Sequence, residues 1–586
     1  MTIVPEDDYE TLLLQAFKAG DYGLTSELLV RMDQFESMQY VKNLYQKKLL
    51  RTGEASMLLE DEYLEALKSV SGNEITDEQY QLNCLAALKF PNNLIIHKNL
   101  IKSALIREEP DLAEALIDKV FAKNSSDTFL MNVKASIMHE KEDYAGAASL
   151  FRILHEKYPE DETIIKNLSA SLTGLDKPRE AIALLERTLS HAEDPSDTVR
   201  RLAILYQKAS CDVRQRLTDL DNMYFIECGT EPKTRAHAAI MTFLQDFIGL
   251  SRATAKMLEF NPAPINFFTH AEVLFNIGEF DRAIALYEKR FEAHPHLEAF
   301  KKANKNYGGE RLNQETLVVW FEQGIGEKLL FSYFLQKLAR MVNNVTVVTD
   351  PRLIKLYKKE YKNWDFIDET SIKELPTADY HCASGDLVNL WLKDFVAGSE
   401  KFNYPLLKPD YERRSAMAAV LSKNNKKRIG ISWRGGQDVS GKIRSMELSE
   451  ILRAIPDDFD ADIISFQYGD EVNNEIISNG DRRVQISGLD TFNDIDGVLA
   501  LLSCCDAVLS VDNAVAHFAS FLGVPTGVLI PAGQVQFRWK NVQLKNLFFP
   551  GTRTFVQRVP GVWAEPASDA MTWLDAILFG GVEDDA

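Results

Sequence analysis

Alanines recur at intervals of 34 residues in the first half of this chain. Ala113, Ala147 and Ala181 are one period apart, and Ala283 lies three periods further on. Each begins or lies in a similar run, such as AASLFRILHEKYP or AIALYEKRFEAHP. Two other positions of the 34-residue period also recur with a single residue type. Proline occupies one of them, at Pro91, Pro159 and Pro295, and alanine the other, at Ala135 and Ala271. A fixed period of this length indicates a repeat built from pairs of helices.

The pattern resembles the tetratricopeptide repeat, in which small residues lie where two antiparallel helices cross and a proline ends the second helix. The resemblance implies an α solenoid over residues 1–305, clearest at 123–194 and 262–295 and weak between 196 and 261. The concave face of such solenoids commonly binds a peptide or protein. We therefore expect an acceptor-protein site here; a spacer with a structural role only is the alternative.

The charge of the chain limits its partners. The formal net charge is −20, which argues against nonspecific binding to nucleic acid or to an anionic membrane. The six cysteines show neither CxxC nor Cys/His metal spacing, and the first residues carry no basic region followed by an apolar run. We expect no metal site, no stable membrane insertion and a cytoplasmic location.

The hydrophobic pattern changes at about residue 312. The segment that starts LVVWFEQGIGEKLL reads as strand, glycine-containing loop, helix, strand and helix, which predicts a parallel α/β domain over 312–420. Gly324 and Gly326 permit a tight turn from strand to helix. Two glycines do not make a nucleotide motif, so they could simply bring a helix close to a strand.

Residues 426–586 predict a second parallel, doubly wound sheet with a C-terminal helix. Ligands of such sheets bind outside the carboxyl ends of the strands. Three loops with polar or small residues follow predicted strands: 433–436, 467–470 and 512–514. The last belongs to SVDNAVAHFASFLGVPTGVLIP, a strand that turns into a helix. The N–H groups of that helix start would bind an anion such as a phosphate, unless Asp512 merely caps the helix.

Five segments in this order resemble one family: WFEQGIGEKLLF, YPLLKPD, GISWRGG, SFQYGD and SVDNAVAHFASFLGVP. They are similar to bacterial glycosyltransferases fused to tetratricopeptide repeats, whose catalytic half is heptosyltransferase-like. The resemblance covers residues 312–565. It implies the GT-B fold, with two Rossmann-like domains, and metal-independent transfer of a sugar from a nucleotide donor bound between them.

The resemblance also implies site residues. Asp512, Asn513, Ala514 and His517 match a motif of the type SVDTAVAH, in which the helix-start amides hold the donor phosphate and the histidine contacts phosphate or sugar. Asn513 replaces the usual threonine, which preserves backbone donation but leaves any hydroxyl contact in doubt. The remaining donor-site candidates are Gly324, Gly326, Arg434, Lys442, Gln467 and Tyr468.

Basic residues follow the first strand of the second predicted sheet, where they could bind the donor phosphate. Arginine is the preferred partner of a phosphate, and a metal-free transferase must neutralise the leaving nucleotide with protein groups. Arg434 is the main candidate, and Lys442 or Arg444 would complete the clamp; a solvated basic loop is the alternative. We expect Gln467 and Tyr468 to line the base or ribose pocket.

Glu327 is the candidate general base. It stands where heptosyltransferase relatives carry aspartate after a glycine-containing loop, and its carboxylate could take a proton from the acceptor hydroxyl. Alternatively, it stabilises the start of its own helix electrostatically.

The implied function is protein O-glycosylation, with flagellin as the acceptor and a nonulosonic acid such as pseudaminic acid, carried on CMP, as the donor. One alternative is an ADP-heptose transferase that acts on lipopolysaccharide or on another protein. A second is a noncatalytic adaptor or flagellin chaperone that retains a transferase fold.

Overall fold

The computed structural model describes residues 92–294, 305–399, 407–421 and 426–580. Short gaps remain at 108, 437–438, 457, 480–483, 535–536 and 540–547, and a few residues between 80 and 90 are also described. The chain forms two compact units, Met1–Thr188 and Leu189–Ala586. The part of the predicted repeat before residue 80, together with Pro91 and Pro295, lies outside the described residues.

The described part of the first unit is helical. Its helices are α1 (Leu94–Ile106), α2 (Pro110–Phe121), α3 (Thr128–Glu140), α4 (Tyr144–Lys157), α5 (Glu162–Gly174) and α6 (Pro178–Thr188). Asp127, Asp143 and Asp161 cap α3, α4 and α5, because each carboxylate accepts a hydrogen bond from an amide of the first turn. Consecutive helices pack against each other along the chain.

The periodic alanines are confirmed as packing positions. Ala113, Ala147, Ala181 and Ala283 are fully buried, and so are Ala135 and Ala271 of the second phase. An alanine lets two helix backbones approach closely, which explains why this residue recurs at the period of the repeat. Pro159 follows the end of α4 at Lys157, where its missing N–H cannot continue the helix. The continuous solenoid over 1–305 stays a prediction.

The second unit opens with more helices: α7 (Pro195–Lys208), α8 (Val213–Leu220), α9 (Glu231–Leu244), α10 (Phe247–Phe260), α11 (Pro264–Ile277), α12 (Phe280–Tyr287) and α13 (Arg290–Ala293). A π-helical turn at Asp221–Phe225 interrupts the series after α8. This irregular turn lies in the segment where the sequence period is weak.

The first sheet is parallel and has the strand order β1-β5-β2-β3-β4. Its strands are β1 (Lys305–Asn306), β2 (Leu312–Trp320), β3 (Val342–Thr349), β4 (Asp365–Asp368) and β5 (Tyr380–Ala383). Its helices are α14 (Ile325–Ser332), α15 (Leu335–Met341), α16 (Pro351–Glu360) and α17 (Ser384–Val396). The next helix, α18 (Tyr411–Leu421), packs against the segment Ile495–Leu502 further along the chain. The predicted strand, loop, helix, strand and helix are confirmed as β2 to α16, although β1 joins the sheet before the predicted start at 312.

The second sheet is also parallel, with the order β11-β10-β9-β6-β7-β8. Its strands are β6 (Lys427–Ser432), β7 (Ala461–Ser465), β8 (Val484–Ile486), β9 (Ala507–Val511), β10 (Thr526–Ile530) and β11 (Thr552–Val556). Its helices are α19 (Val439–Arg444), α20 (Leu448–Ala454), α21 (Asp470–Asn479), α22 (Ile495–Leu502), α23 (Ala514–Leu522) and α24 (Ala564–Phe579). The order reverses between β6 and β9, so a crevice opens between the loops that follow these two strands.

Helices α11 and α12 share one apolar core with both sheets. That core includes Phe275 of α11, Phe331 of α14, Phe518 of α23, and Trp539 and Phe549 after β10. The mostly helical first half is therefore followed by two α/β domains with parallel sheets, and helices α11 and α12 pack directly on these domains.

Candidate functional site

Asn513 joins the two strand ends at the switch point of the second sheet. It is the N-cap of α23, and its Oδ1 accepts hydrogen bonds from the amides of Val515 and Ala516, at 2.9 and 3.4 Å. Its Nδ2 donates to Ser432 Oγ at 2.8 Å and to the carbonyl oxygen of Arg434 at 3.0 Å. The residue that caps the helix is thus Asn513, and the alternative that Asp512 does so is wrong.

The cap leaves part of the helix start available. In the described part of the chain, the amides of Asn513 and Ala514 have no acceptor, whereas the next two amides bind the Asn513 side chain. Free amides at the start of a helix favour an anion, because they point along the positive end of the helix dipole. This geometry agrees with the predicted phosphate position, whose occupancy stays a prediction.

Gln467 positions the loop after β6. Its Oε1 accepts three hydrogen bonds, from Ser432 Oγ and from the amides of Trp433 and Arg434, at 2.9 to 3.0 Å. The side chain is buried, so its amide is occupied within the protein and does not line an open pocket. Tyr468 is half-buried and lies against Phe492, with 5.2 Å between the ring centres.

His517, on α23 of the second α/β domain, packs against Gly326 of the first α/β domain. An added Cβ at Gly326 would be only 2.8 to 3.1 Å from the His517 ring, so this close approach requires glycine. His517 Nδ1 donates to the carbonyl oxygen of Asn513 at 2.9 Å, while Nε2 is buried without a partner among the described residues. Burial, and then the charge of Arg538, lower the pKa of His517 to about 4. The imidazole is therefore neutral at pH 7 and adds no positive charge for a phosphate.

Arg538 lies at the centre of the site. It follows β10, and its Nη1 contacts Glu327 Oε1 at 2.8 Å while its Nη2 lies 3.5 Å from Asp512 Oδ2. Asp512 also accepts a hydrogen bond from Trp539 Nε1 at 2.7 Å, and Arg444 Nη1 is 3.6 Å away. Glu327 comes from the first sheet and Asp512 from the second, so this arginine links the two domains.

The electrostatics of this cluster are strongly perturbed. Burial alone would raise the pKa of Asp512, but the charges of Arg538 and Arg444 and the Trp539 hydrogen bond outweigh it, so the pKa is lowered. Burial likewise opposes the charge of Arg538, yet Glu327 and Asp512 raise its pKa. Titratable groups with opposing perturbations in one cleft are typical of functional sites.

Sequence reasoning missed Arg538 and Trp539. The predicted rim comprises the loops after three strands of the second sheet and omits the loop after β10, which lies at the same carboxyl edge. The segment QVQFRWK, in the loop that follows β10, carries a signal that could have identified them, an arginine between two aromatic residues.

The residues of the predicted phosphate clamp lie near the switch point, and two of them, Arg434 and Arg444, are engaged with protein carboxylates. Arg434 Nη2 contacts Glu475 Oε2 at 2.9 Å and lies 3.8 Å from Glu447 Oε2. Lys442 is exposed on α19, and Arg444 of the same short helix faces Asp512. Arg434 is one-third exposed, so an incoming anion could compete with Glu447 for its guanidinium.

The two α/β domains also meet at a second place. Arg352, directly after β3, lies over the Phe492 ring with 4.3 Å between the guanidinium carbon and the ring centre. Lys355 and Lys359 of α16 both contact Asp496, at 2.6 and 2.7 Å. The fold and site thus define a protein with two parallel α/β domains that meet at a charged interface.

Comparisons with known proteins give distant similarities. No family model matches the chain. Protein FlbA of Caulobacter vibrioides is 23% identical over 318 residues, which is half of this chain and 52% of that protein, so the match spans about half the length of the relative.

Similar solved structures include ADP-heptose lipopolysaccharide heptosyltransferase II of Escherichia coli, at 13% identity and a TM-score of 0.34, covering 45% of this chain and 98% of that chain. A family 9 glycosyl transferase from Veillonella parvula has 12% identity and a TM-score of 0.34, with coverages of 46% and 99%. An O-GlcNAc transferase of Thermobaculum terrenum has 11% identity and a TM-score of 0.26, with coverages of 82% and 91%.

None of the helices within the described ranges is both long and apolar enough to cross a membrane.

Proposed function

We propose that this protein is a glycosyltransferase that uses a nucleotide-sugar donor bound in the cleft between its two α/β domains. The observation that carries the proposal is the meeting of two parallel sheets at their carboxyl edges around Arg538, with Glu327 on one side and Asp512 on the other. A cleft of this kind, at the switch point of a doubly wound sheet, is where nucleotides bind.

The donor phosphate would sit at the start of α23. The amides of Asn513 and Ala514 would donate to it, and Arg434, Lys442 and Arg444 would supply positive charge from the neighbouring loop. During transfer, the acceptor oxygen bonds to the sugar carbon while the bond from that carbon to the phosphate oxygen breaks. The nucleotide leaves with the electron pair, and these cations stabilise its charge, so we propose that no metal is needed.

We further propose a protein acceptor that docks on the helical half, with flagellin as the specific candidate and a CMP-linked nonulosonic acid as the donor. These specific assignments are supported by the five sequence segments and the fused repeat. The net charge of −20 supports a protein acceptor in solution over one in an anionic membrane.

A thermal-shift screen tests the donor site. The full-length protein is mixed with CMP, UDP, GDP and ADP, and the variant Lys442→Ala serves as a test of the clamp, with Lys426→Ala as the exposed control on the same domain. A ligand at 100 times its dissociation constant stabilises a protein by about 2.7 kcal/mol. We expect one nucleotide to raise the Tm, less so in Lys442→Ala than in the control.

The screen also separates the alternatives. A response to CMP supports the proposed donor, and a response to ADP alone moves the donor to the heptose class. If no nucleotide raises the Tm, the transferase proposal fails and the noncatalytic adaptor becomes the better interpretation.

A further inference from the structure

Glu272 of α11 lies beside the Arg538 cluster, although it belongs to the helical segment. Electrostatic interactions connect its carboxyl group with Arg538 and Glu327, and with Tyr287 of α12. The cluster therefore includes carboxylates from three parts of the chain: Glu272 from a helix before the sheets, Glu327 from the first sheet domain and Asp512 from the second.

The packing of α11 explains this placement. Phe275 stacks on Phe537, the residue that precedes Arg538, with 4.9 Å between the ring centres. Asn276 lines a small cavity together with Trp539, one residue after Arg538. Glu272 is four residues before Asn276, so it lies on the same face of the helix, one turn nearer the N-terminus. That face is the one that covers the loop after β10.

Glu272 differs from the other two carboxylates in its partners. Glu327 and Asp512 both pair with Arg538, whereas the Glu272 side chain has no ion pair within 4 Å and no hydrogen bond in the described part of the chain. Most of its surface is buried, and part of it remains exposed to solvent. A carboxylate that is engaged by a guanidinium is a poor proton acceptor, because the ion pair stabilises its charged form.

We propose that Glu272 is the general base of the transfer reaction, supplied by the helical segment, and that Glu327 holds Arg538 in place. This inference rests on the proposed function. The Glu272 carboxylate takes the proton of the acceptor hydroxyl as the acceptor oxygen bonds to the sugar carbon, and the bond from that carbon to the donor phosphate breaks. A peptide docked on the helices would thus meet its base on the same structural element.

The environment of Glu272 suits this role. Burial, offset in part by the charge of Arg538 and reinforced by that of Glu327, raises the pKa of Glu272 to about 7. A base is most effective when its pKa lies near the working pH, because it is then both deprotonated and strong enough to accept a proton.

The activity test compares Glu272→Gln with Glu272→Asp and with Glu259→Gln, a control on α10 whose side chain is 64% exposed. The full-length protein is given ADP-, UDP-, GDP- and CMP-linked sugars, with water as the acceptor, and nucleotide release is followed from pH 5 to 9. We expect Glu272→Gln to lower kcat by about 100-fold or more, to leave nucleotide affinity unchanged and to abolish the rise in rate near pH 7. Glu272→Asp should recover part of the rate, and the control should match the wild type.

A retained rate and pH profile in Glu272→Gln, with loss of rate in Glu327→Gln, would overturn the assignment and leave the transferase proposal intact. Failure of the wild type to bind any of the four nucleotides would instead overturn the proposed function, and with it this role for Glu272.

A stability test needs no donor. The folded pKa of Glu272 is above its unfolded value, so between about pH 4.5 and pH 7 the folded state binds more protons, and the contribution of Glu272 to stability falls as pH rises through this window. Above pH 7, Glu272→Gln should therefore have a higher Tm than the wild type, and the difference should shrink toward pH 5. If the wild type and Glu272→Gln have equal Tm values at pH 8, the negative charge of Glu272 does not destabilise the fold, and the assignment is overturned.

Discussion

Two arginines of the second unit, one fully buried and one largely buried, show how similar charges can serve different purposes. Arg290 of α13 is fully buried and binds Glu322 through Nε and Nη2, at 2.9 to 3.1 Å. It also contacts Asp386 at 2.6 Å and the carbonyl oxygen of Tyr287 at 3.3 Å. Arg538 has one close carboxylate and one at 3.5 Å, and its Nε has no hydrogen-bond partner among the described residues.

The difference separates a structural cluster from a candidate site. The Arg290 cluster is saturated, because Glu322 also accepts the Gly385 amide at 2.9 Å, and it ties α13 to the strand ends of the first sheet. The Arg538 cluster has spare donors, a partly exposed Glu327 and the unpaired Glu272 at its edge. Saturated charges fix a fold, whereas incompletely paired charges can still bind a ligand.

The largest effect on stability is expected at Arg290. Arg290→Ala removes the cation and leaves Glu322 buried without its partner, which should cost about 3–5 kcal/mol of unfolding free energy. Arg282→Ala is the control, since that arginine is 59% exposed and, among the described residues, its ion-pair partner is Glu279 alone. Urea denaturation measures both. If Arg290→Ala loses no more unfolding free energy than Arg282→Ala, the Arg290 cluster is not a structural cluster, and its distinction from the Arg538 cluster disappears.

At Arg538 we expect the main effect on activity. Arg538→Ala should lower the rate of nucleotide release from the donor about 10²–10³-fold, because a preorganised positive charge near the leaving group is lost. The destabilisation should be smaller than at Arg290, because Asp512 keeps the Trp539 hydrogen bond and Arg444. Single-turnover kinetics and urea denaturation of the same variant measure both quantities. Unchanged kinetics with a large loss of stability would make Arg538 a second structural arginine.

Gly326→Ala tests the contact between the two domains at the Arg538 site. The new Cβ would lie 2.8 Å from the buried His517 ring, which cannot move aside easily, so we expect a loss of about 1–3 kcal/mol. Gly324→Ala is the matched control, because its Cβ would meet only the end of the Glu327 side chain at 3.2 Å. Thermal unfolding compares the two variants, and equal losses would mean that the His517 contact is not tight.

Regular patterns in the sequence predicted the architecture. Buried alanines at a 34-residue period, apolar strands and the helices between them follow from local spacing, and so does the edge at which the loops converge. The short strands β1 and β4 carry too few residues to give such a signal. The surroundings of Arg538 could not be predicted, because its partners Glu327 and Asp512 and the nearby Glu272 are brought together only when the helices, the first sheet and the second sheet pack.

The role of Gln467 shows the same limit. Its position after a strand predicted a pocket residue, yet its Oε1 is taken by the neighbouring loop. A strand end identifies the edge where a side chain lies, but the hydrogen bonds of adjacent loops decide whether it faces a ligand or supports the loop.

Asn513→Thr gives the smallest expected effect and sharpens the role of the cap. Threonine can still cap α23, but it cannot replace the Nδ2 hydrogen bonds to Ser432 and Arg434. We expect a loss of about 1 kcal/mol in stability and little change in nucleotide affinity, because the helix-start amides remain. Asn513→Pro removes one of those amides, so it should weaken nucleotide binding as well. If Asn513→Thr alone abolishes binding in the thermal-shift screen, the asparagine side chain, and not the backbone, holds the phosphate.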